Sequence, residues 1–200
     1  MKRLMILCGF LVIGLAGMSH NGFAAGFTKE AVEFEARSLV NRMEITRDMG
    51  YKLKIRLAQA LNDPSLQEIV DSKGVGAVFA YAAGEGGLVL KYMEGDGLIS
   101  FADGLKAVPI SLKSWSVGAM IGGSAQWGIG LVIGPVDEKD FGGGYKGGTR
   151  TATAWEAATR SMLYVSRTVD EQTQEIYIIT TGRGFSAGVG GVVMSITPVW

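Results

Sequence analysis

Cysteine and histidine are almost missing from this chain. Its 200 residues include one cysteine, Cys8, and one histidine, His20, and both lie within the first 24 residues. Histidine titrates near neutral pH without any shift of its pKa, and zinc, copper and haem sites depend on histidine or cysteine. If residues 1–24 are removed, no thiol, disulfide or imidazole remains. We therefore expect a protein that is not an enzyme and that binds no metal or cofactor.

A positive charge excess and long apolar runs are missing as well. The 19 lysines and arginines balance 19 aspartates and glutamates. Proteins that bind nucleic acid non-specifically usually have a basic excess, so we expect no nucleic-acid partner. Beyond residue 24 no run of 18 apolar residues occurs, which argues against a helical membrane protein.

The first residues are arranged like a secretion signal. Two basic residues precede an apolar stretch over residues 4–17, which is too short to cross a bilayer core of about 30 Å. Small residues then place the expected cleavage after Ala24, with Ala25 as the alternative. We therefore interpret residues 1–24 as a signal peptide of an exported protein in the periplasm or at the outer membrane. An uncleaved N-terminal anchor is the alternative.

The rest of the chain changes character near residue 73. Apolar residues recur at helical spacing over residues 26–71, with Gly50 as the expected end of the first helix. Residues 73–198 are rich in Gly, Val, Ile and Thr and predict strands, with a turn at 94–97. No helix-length segment alternates with these strands. We expect residues 25–200 to form one α+β domain, with N-terminal helices packed on a curved, mostly antiparallel, Gly-rich β-sheet or barrel-like sandwich.

The predicted strands are short and separated by glycine. The Gly-rich stretch 142–148 is expected to be a flexible loop or a bulged strand. The nine predicted strands cover residues 75–81, 87–93, 98–101, 114–125, 126–133, 149–155, 161–168, 175–181 and 185–197.

One pentapeptide formally matches a hydrolase motif. Gly184-Phe185-Ser186-Ala187-Gly188 has the G-x-S-x-G pattern, which in hydrolases is a turn between a strand and a helix. The serine needs a base, the expected mature chain has no histidine, and strand-like sequence follows. We therefore interpret Ser186 as non-catalytic. An unusual enzyme that uses Ser, Lys, Tyr and carboxylates is a remote alternative.

Basic residues cluster in the helical part. If they share a surface, they would attract anionic lipid head groups, with about 1 kcal/mol from each cation near a charged membrane. Glu44 and Asp48 interleave with them, so an ordinary charged helix surface is the competing interpretation. The predicted lipid-binding residues are Arg42, Arg47, Lys52, Lys54, Arg56 and, at the junction with the strands, Lys73.

Four segments together resemble the SYLF domain. They are Ser72-Lys73-Gly74-Val75-Gly76-Ala77-Val78-Phe79, Gly86-Gly87-Leu88-Val89-Leu90, Pro109-Ile110-Ser111-Leu112 with Ser116-Val117-Gly118-Ala119-Met120-Ile121-Gly122, and Gly184-Phe185-Ser186-Ala187-Gly188. Met120 stands where that family usually has glutamine, and the tryptophan expected before the Pro109 segment is missing. The resemblance covers about residues 28–197 and implies a lipid-binding module. Eukaryotic members bind phosphoinositides, and bacterial members are exported envelope proteins.

The sequence thus predicts non-enzymatic binding of anionic phospholipid, with phosphoinositide-like head groups, at a membrane surface. Residues 117–121 and Trp127 would either accept an acyl chain or belong to the core. The main alternative is a small outer-membrane β-barrel protein with an N-terminal helical extension, although its strands should then alternate regularly between apolar and polar residues. The sequence identifies no protein partner.

Overall fold

The computed structural model describes residues 26–87, 90–104, 106–117, 119–150, 162–169, 171–187 and 191–199, with the side chains of 117, 119–124, 149–150 and 183–187 left out. The expected signal peptide, Cys8, His20 and residues 151–155 of a predicted strand lie outside this part. In these described ranges three α-helices precede eight strands: α1 Lys29–Arg42, α2 Arg47–Leu61, α3 Pro64–Lys73, β1 Val75–Gly86, β2 Leu90–Phe101, β3 Val108–Val117, β4 Ala119–Ile133, β5 Gly143–Arg150, β6 Met162–Val169, β7 Gln172–Ala187 and β8 Gly191–Pro198.

The first helical turn of the chain is capped by a side chain, as local chemistry predicts. The Thr28 hydroxyl accepts a hydrogen bond from the Ala31 N–H at the start of α1. The helix ends at Met43, and Glu44 adopts a φ of 52° in the connection to α2. The expected break at Gly50 is wrong, because Gly50 lies inside α2. A Cβ there would lie 3.2 Å from Val40 Cγ1, so this glycine allows α1 and α2 to approach closely.

The eight strands form a closed barrel in the order β1-β2-β3-β8-β5-β6-β7-β4, and every neighbouring pair is antiparallel. This confirms the expected α+β class with a barrel-like sheet. The segment 142–148 lies mostly in strand β5 rather than in a loop. Pro109, which was not expected in a strand, lies near the start of β3.

The expected turn at 94–97 is also wrong. These residues lie in the middle of β2, where Gly95 pairs with Ala83 and Gly97 pairs with Tyr81. A Cβ at Gly95 would lie 2.2 Å from the Ala82 carbonyl oxygen, and one at Gly97 would lie 2.4 Å from the Ala80 carbonyl oxygen. These glycines therefore mark close contact with β1 and not a reversal of the chain.

Alternate residues of the strands feed two separate apolar layers. On β1, Phe79 and Tyr81 point into the barrel, where the rings lie against Ile99 and other buried side chains. Val78 and Ala80 point outwards and pack under the helices. The helices make their main contacts with β1, β2, β4 and β7. Among the described residues, no helix is both long and apolar enough to cross a membrane.

Candidate functional site

A partly buried arginine lies at one end of the barrel. The Arg167 Nε donates a hydrogen bond to Gln174 Oε1 at 2.9 Å, and its two terminal nitrogens donate to the carbonyl oxygens of Gly142 and Asp140. The guanidinium carbon lies 5.1 Å from the centre of the Tyr145 ring. The Tyr145 hydroxyl donates to Gln174 Oε1 at 2.6 Å. Burial raises the pKa of Tyr145 to about 12, although the nearby Arg167 charge opposes the shift.

Polar groups deeper towards the other end are paired with one another. The Tyr81 hydroxyl donates to Gln126 Oε1 at 2.8 Å, and burial raises the pKa of Tyr81. Glu85 and Lys91 form an ion pair at 3.6 Å, with side chains only 7% and 13% exposed. Within the described ranges, every buried side-chain nitrogen or oxygen has a hydrogen-bond partner. Apolar packing and paired polar groups thus fill the described interior of the barrel.

A cleft of about 660 Å³ lies beside the Arg167 end of the barrel. Its charged lining consists of Lys73, Arg167, Asp137, Asp140 and Glu175. Lys73 Nζ donates to Glu175 Oε2 at 2.7 Å, and this hydrogen bond raises the pKa of Lys73. Three carboxylates and two cations thus line the cleft, and both cations already donate hydrogen bonds to protein groups. This composition disfavours an anionic head group. In the described part of the chain, no group of three metal-ligating side chains comes together.

The structure separates the six predicted lipid-binding cations. The Arg56 guanidinium donates to the Thr180 carbonyl oxygen and so ties α2 to β7. Lys73 is held by Glu175, at the far end of α3. The other four lie on α1, α2 and the turn between them: Arg42, Arg47, Lys52 and Lys54.

These four cations differ in whether their side chains form an ion pair or a hydrogen bond. Lys52 pairs with Asp48 one turn earlier, at 3.0 Å. Lys54 donates to Asn41 Oδ1 at 3.4 Å, which links α2 to α1. Arg42 and Arg47 are exposed beside the turn, and neither has a hydrogen bond or ion pair with another described residue. Of the predicted lipid-binding residues, Arg42 and Arg47 are thus exposed at the turn between α1 and α2, whereas Arg56 and Lys73 are bound to residues of β7.

Three large apolar side chains are exposed on the same two helices, and none of them was among the predicted lipid-binding residues. Phe34, Tyr51 and Ile55 are between 40% and 73% exposed. Tyr51 and Ile55 lie one turn apart on α2, away from the buried side that contains Leu53 and Leu57. We call Phe34, Tyr51, Ile55, Arg42, Arg47 and Lys52 the helical face. The signal was present in the sequence, because positions 51 and 55 lie off the apolar stripe of α2.

A second exposed apolar patch lies on β2, β3, β8 and β5, and of these four strands β2 alone is among those that the helices mainly contact. Strand register places Tyr92, Trp115, Val193 and Lys146 side by side on the outer surface of β2, β3, β8 and β5. The Tyr92 and Trp115 rings lie 4.5 Å apart. Leu90, Trp115 and Val193 are between 51% and 59% exposed. We call Leu90, Tyr92, Trp115, Val193 and Lys146 the bare face.

A charged network borders the bare face. Glu94 accepts hydrogen bonds from Lys113 at 2.9 Å and from the Tyr92 hydroxyl at 2.8 Å. The bond from Lys113 is the main reason that the pKa of Glu94 is lowered, and the same contact raises the pKa of Lys113. Lys146, beside Val193, has no hydrogen bond or ion pair with a described residue. The carboxylate of Glu94 is therefore neutralised locally, whereas the charge of Lys146 is not.

Two further sequence interpretations concern β4 and β7. Trp127 is partly buried and packs against the apolar layer between helices and barrel, as expected if it belongs to the core. The side chains of residues 117 and 119–121 lie outside the described part. The backbone of Ser186 pairs with Met120 within β7 and β4, so the G-x-S-x-G serine lies in a strand. Its side chain lies outside the described part.

Comparison with known proteins gives similarity in fold only. No protein-family model and no curated protein matches the chain. A β-barrel-like uncharacterized protein from Brucella abortus is 18% identical, with a TM-score of 0.45 over 88% of this chain and 97% of that one. The virulence-associated protein VapD from Rhodococcus equi is 15% identical, with a TM-score of 0.37 over 60% of this chain and 96% of that one.

Proposed function

We propose that the protein binds anionic phospholipid surfaces peripherally, as an exported envelope protein, and that it performs no covalent chemistry. The observation that carries the proposal is the helical face, where Phe34, Tyr51 and Ile55 are exposed on the same two helices as Arg42, Arg47 and Lys52. The three cations of the face, Arg42, Arg47 and Lys52, exceed by one the acidic residues of the same segment, Glu44 and Asp48. The resemblance to the SYLF domain, described from the sequence, supports the same function.

The two components of the helical face act on different parts of a membrane. Arg42 and Arg47 remain in the aqueous head-group layer, where each contributes about 1 kcal/mol near an anionic surface. Tyr51 and Ile55 enter the boundary between head groups and acyl chains, where burial of apolar area stabilises by about 25 cal/mol per Å². Neither contribution alone gives stable binding. Their combination on one side of two helices supports a reversible, salt-sensitive interaction.

The distribution of polarity supports peripheral binding over an outer-membrane barrel. A transmembrane barrel has a polar interior and an apolar outer band. Here the described interior is filled by side chains such as Phe79, Ile99 and Ile196. The outer positions of β8 include exposed Ser195 and Thr197, and the helices cover part of the remaining surface. The closed ring of eight antiparallel strands favours the barrel alternative, which cell fractionation would test: a peripheral protein is released by high salt, whereas a transmembrane barrel requires detergent.

The direct test is co-sedimentation of the purified protein with vesicles. We expect binding to vesicles of equimolar phosphatidylglycerol and phosphatidylcholine, weak binding to phosphatidylcholine alone, and release by salt because the cations are exposed. The double variant Tyr51→Ser/Ile55→Ser should weaken binding roughly tenfold, since it removes about 1–2 kcal/mol of apolar insertion.

A matched control is available elsewhere on the surface. Val169 and Val199 are also exposed and belong to neither face, so Val169→Ser/Val199→Ser removes two exposed apolar side chains elsewhere on the surface. This control should bind like the unmodified protein. Equal recovery with neutral and anionic vesicles, or an equal effect of the two double variants, would refute the proposed helical face.

A further inference from the structure

The helical face and the bare face lie on opposite sides of the barrel. In the closed ring, β8 is four strands away from β4, and β5 is four strands away from β1. The helices pack mainly on β1, β4 and β7, with α1 reaching β2. The row formed by Trp115, Val193 and Lys146 lies on β3, β8 and β5. A single flat bilayer that contacts one of these faces therefore cannot contact the other.

The bare face has the composition of a surface that enters a bilayer interface. Tryptophan and tyrosine have an apolar ring and a polar end, and they concentrate at the level of lipid head groups. Lysine extends its apolar stem along such a surface and keeps its ammonium in water. Here Tyr92 and Trp115 contact each other, Lys146 lies in the same row of the sheet, and Lys113 lies in the next row.

The charge of the bare face favours anionic lipid over a second copy of this chain. Lys146 is the one charged residue of the bare face, and in the row that borders it Lys113 offsets Glu94, which leaves one positive charge in excess. An anionic membrane complements this excess. A second copy would bring the same excess of positive charge to the contact.

The size and shape of the bare face also favour a lipid surface over a second copy of this chain. The exposed parts of four large side chains amount to roughly 400 Å², about half of what each partner buries in a stable protein interface. A barrel surface is convex across its strands, so two such surfaces would meet along a narrow line. The head-group layer of a bilayer can instead close around protruding side chains such as Trp115.

We propose that the bare face is a second contact surface for anionic phospholipid and that the protein consequently links two membrane surfaces. The inference rests on the proposed function, because the helical face must bind the first membrane. It extends that function from attachment to one membrane to tethering of two.

The experiment measures vesicle binding and vesicle clustering separately, with the full protein. Vesicles of equimolar phosphatidylglycerol and phosphatidylcholine are mixed with protein, binding is read by co-sedimentation, and clustering is read by the increase in particle size in light scattering. We expect the unmodified protein to cluster the vesicles. The variant Trp115→Glu/Val193→Glu should lose clustering and keep at least about half of its vesicle binding, since one face is left intact. The control Val169→Glu/Val199→Glu adds the same charge outside both faces and should still cluster.

The other outcomes separate the two proposals. Binding without clustering by the unmodified protein would overturn the tether and leave the proposed function standing. Loss of all vesicle binding in Trp115→Glu/Val193→Glu would show that the bare face is the only lipid surface, which also overturns the tether. A lipid-free dimer that the same variant converts to a monomer in sedimentation equilibrium would assign the bare face to a second copy. No binding to any vesicle would refute both proposals.

Discussion

A single methyl group added at Gly130 should disturb the whole barrel. Gly130 lies in β4 directly opposite Phe79 in β1. A Cβ at Gly130 would lie 2.1 Å from Phe79 Cζ and 2.2 Å from Cε1, far inside van der Waals contact. Phe79 is fully buried, and its ring centre lies 6.3 Å from that of Tyr81. Because other buried side chains surround the ring, it has no free space into which to rotate.

The expected magnitude follows from two opposing contributions. Overpacking of a core by a methylene or methyl group costs typically 1–3 kcal/mol. Replacement of glycine by alanine also restricts the unfolded chain, which offsets about 0.4–1 kcal/mol. Since the clash at Gly130 is severe, we expect Gly130→Ala to lower the free energy of unfolding by about 2 kcal/mol. At this chain length the melting temperature should fall by roughly 4–8 °C.

Urea denaturation followed by circular dichroism measures the effect, and two further variants identify its cause. Gly144→Ala is the matched control, because nothing lies within 4 Å of a Cβ at that strand position. We expect it to change stability by less than about 0.5 kcal/mol. The double variant Gly130→Ala/Phe79→Leu should be more stable than the sum of the two single effects, by at least about 1 kcal/mol, since the smaller leucine makes room for the methyl group.

Additive effects of Gly130→Ala and Phe79→Leu on the free energy of unfolding would refute the predicted contact between the two positions. It would equally be refuted if Gly130→Ala and Gly144→Ala had the same stability. Either result would mean that the Phe79 ring does not cover Gly130 and that the interior of the barrel is packed differently.

Three further predictions concern polar groups. Arg167→Lys should lower the free energy of unfolding by about 2 kcal/mol or more in urea denaturation, because lysine cannot satisfy several acceptors in a fixed plane at the end of the barrel. Tyr145 has its pKa raised from 10.0 to about 12, so its contribution to stability is complete below pH 10 and is lost as the pH rises towards 12. The stability of Tyr145→Phe should therefore decline less steeply over that range. Lys73 likewise has its pKa raised above 10.5 by Glu175, so its stabilising effect should disappear only in strong alkali, and Lys73→Met should cost less than about 1 kcal/mol at neutral pH because the pair is exposed. A thermal melt of Lys73→Met at neutral pH that showed a large loss would contradict this assignment.

The helices and the fold class were predictable because their determinants are local. Apolar periodicity over residues 26–71 predicted the helical region, and in the structure local chemistry also sets the start of α3, where Asp63 caps the helix and Pro64 is its first residue. The errors came from glycine, which has more than one structural use. Gly50 allows close helix packing and Gly95 allows close strand packing. The sequence pattern alone had favoured the end of a helix at Gly50 and a turn at Gly95.

The closure of the barrel was not predictable in the same way. The last strand, β8, inserts between β3 and β5, so that Ile110 pairs with Pro198. Such a pairing depends on contacts between residues far apart in the chain, which no local pattern encodes. The alternation along β3 does indicate that Trp115 and Leu112 lie on opposite sides of the sheet. Which of these sides faces solvent depends on where the helices pack.

The same limit applies to the predicted cations. Their positions on helices were evident from spacing, but their partners come from distant strands. Arg56 is engaged by Thr180 of β7, and Lys73 is engaged by Glu175 of the same strand. Only the three-dimensional structure separates these two from Arg42 and Arg47, which remain available at the turn between α1 and α2.

The aromatic residues of the bare face are not required to close the barrel. On β8 the outward positions after Val193 are Ser195 and Thr197, so polar side chains are compatible with the same sheet surface. The inward residues Met194 and Ile196 are buried and supply the packing of that strand. Trp115→Ser should therefore leave the free energy of unfolding within about 1 kcal/mol of that of the unmodified protein while it reduces vesicle clustering. A large loss of stability in this variant would instead make Trp115 a structural residue and would remove the reason to assign it to a membrane.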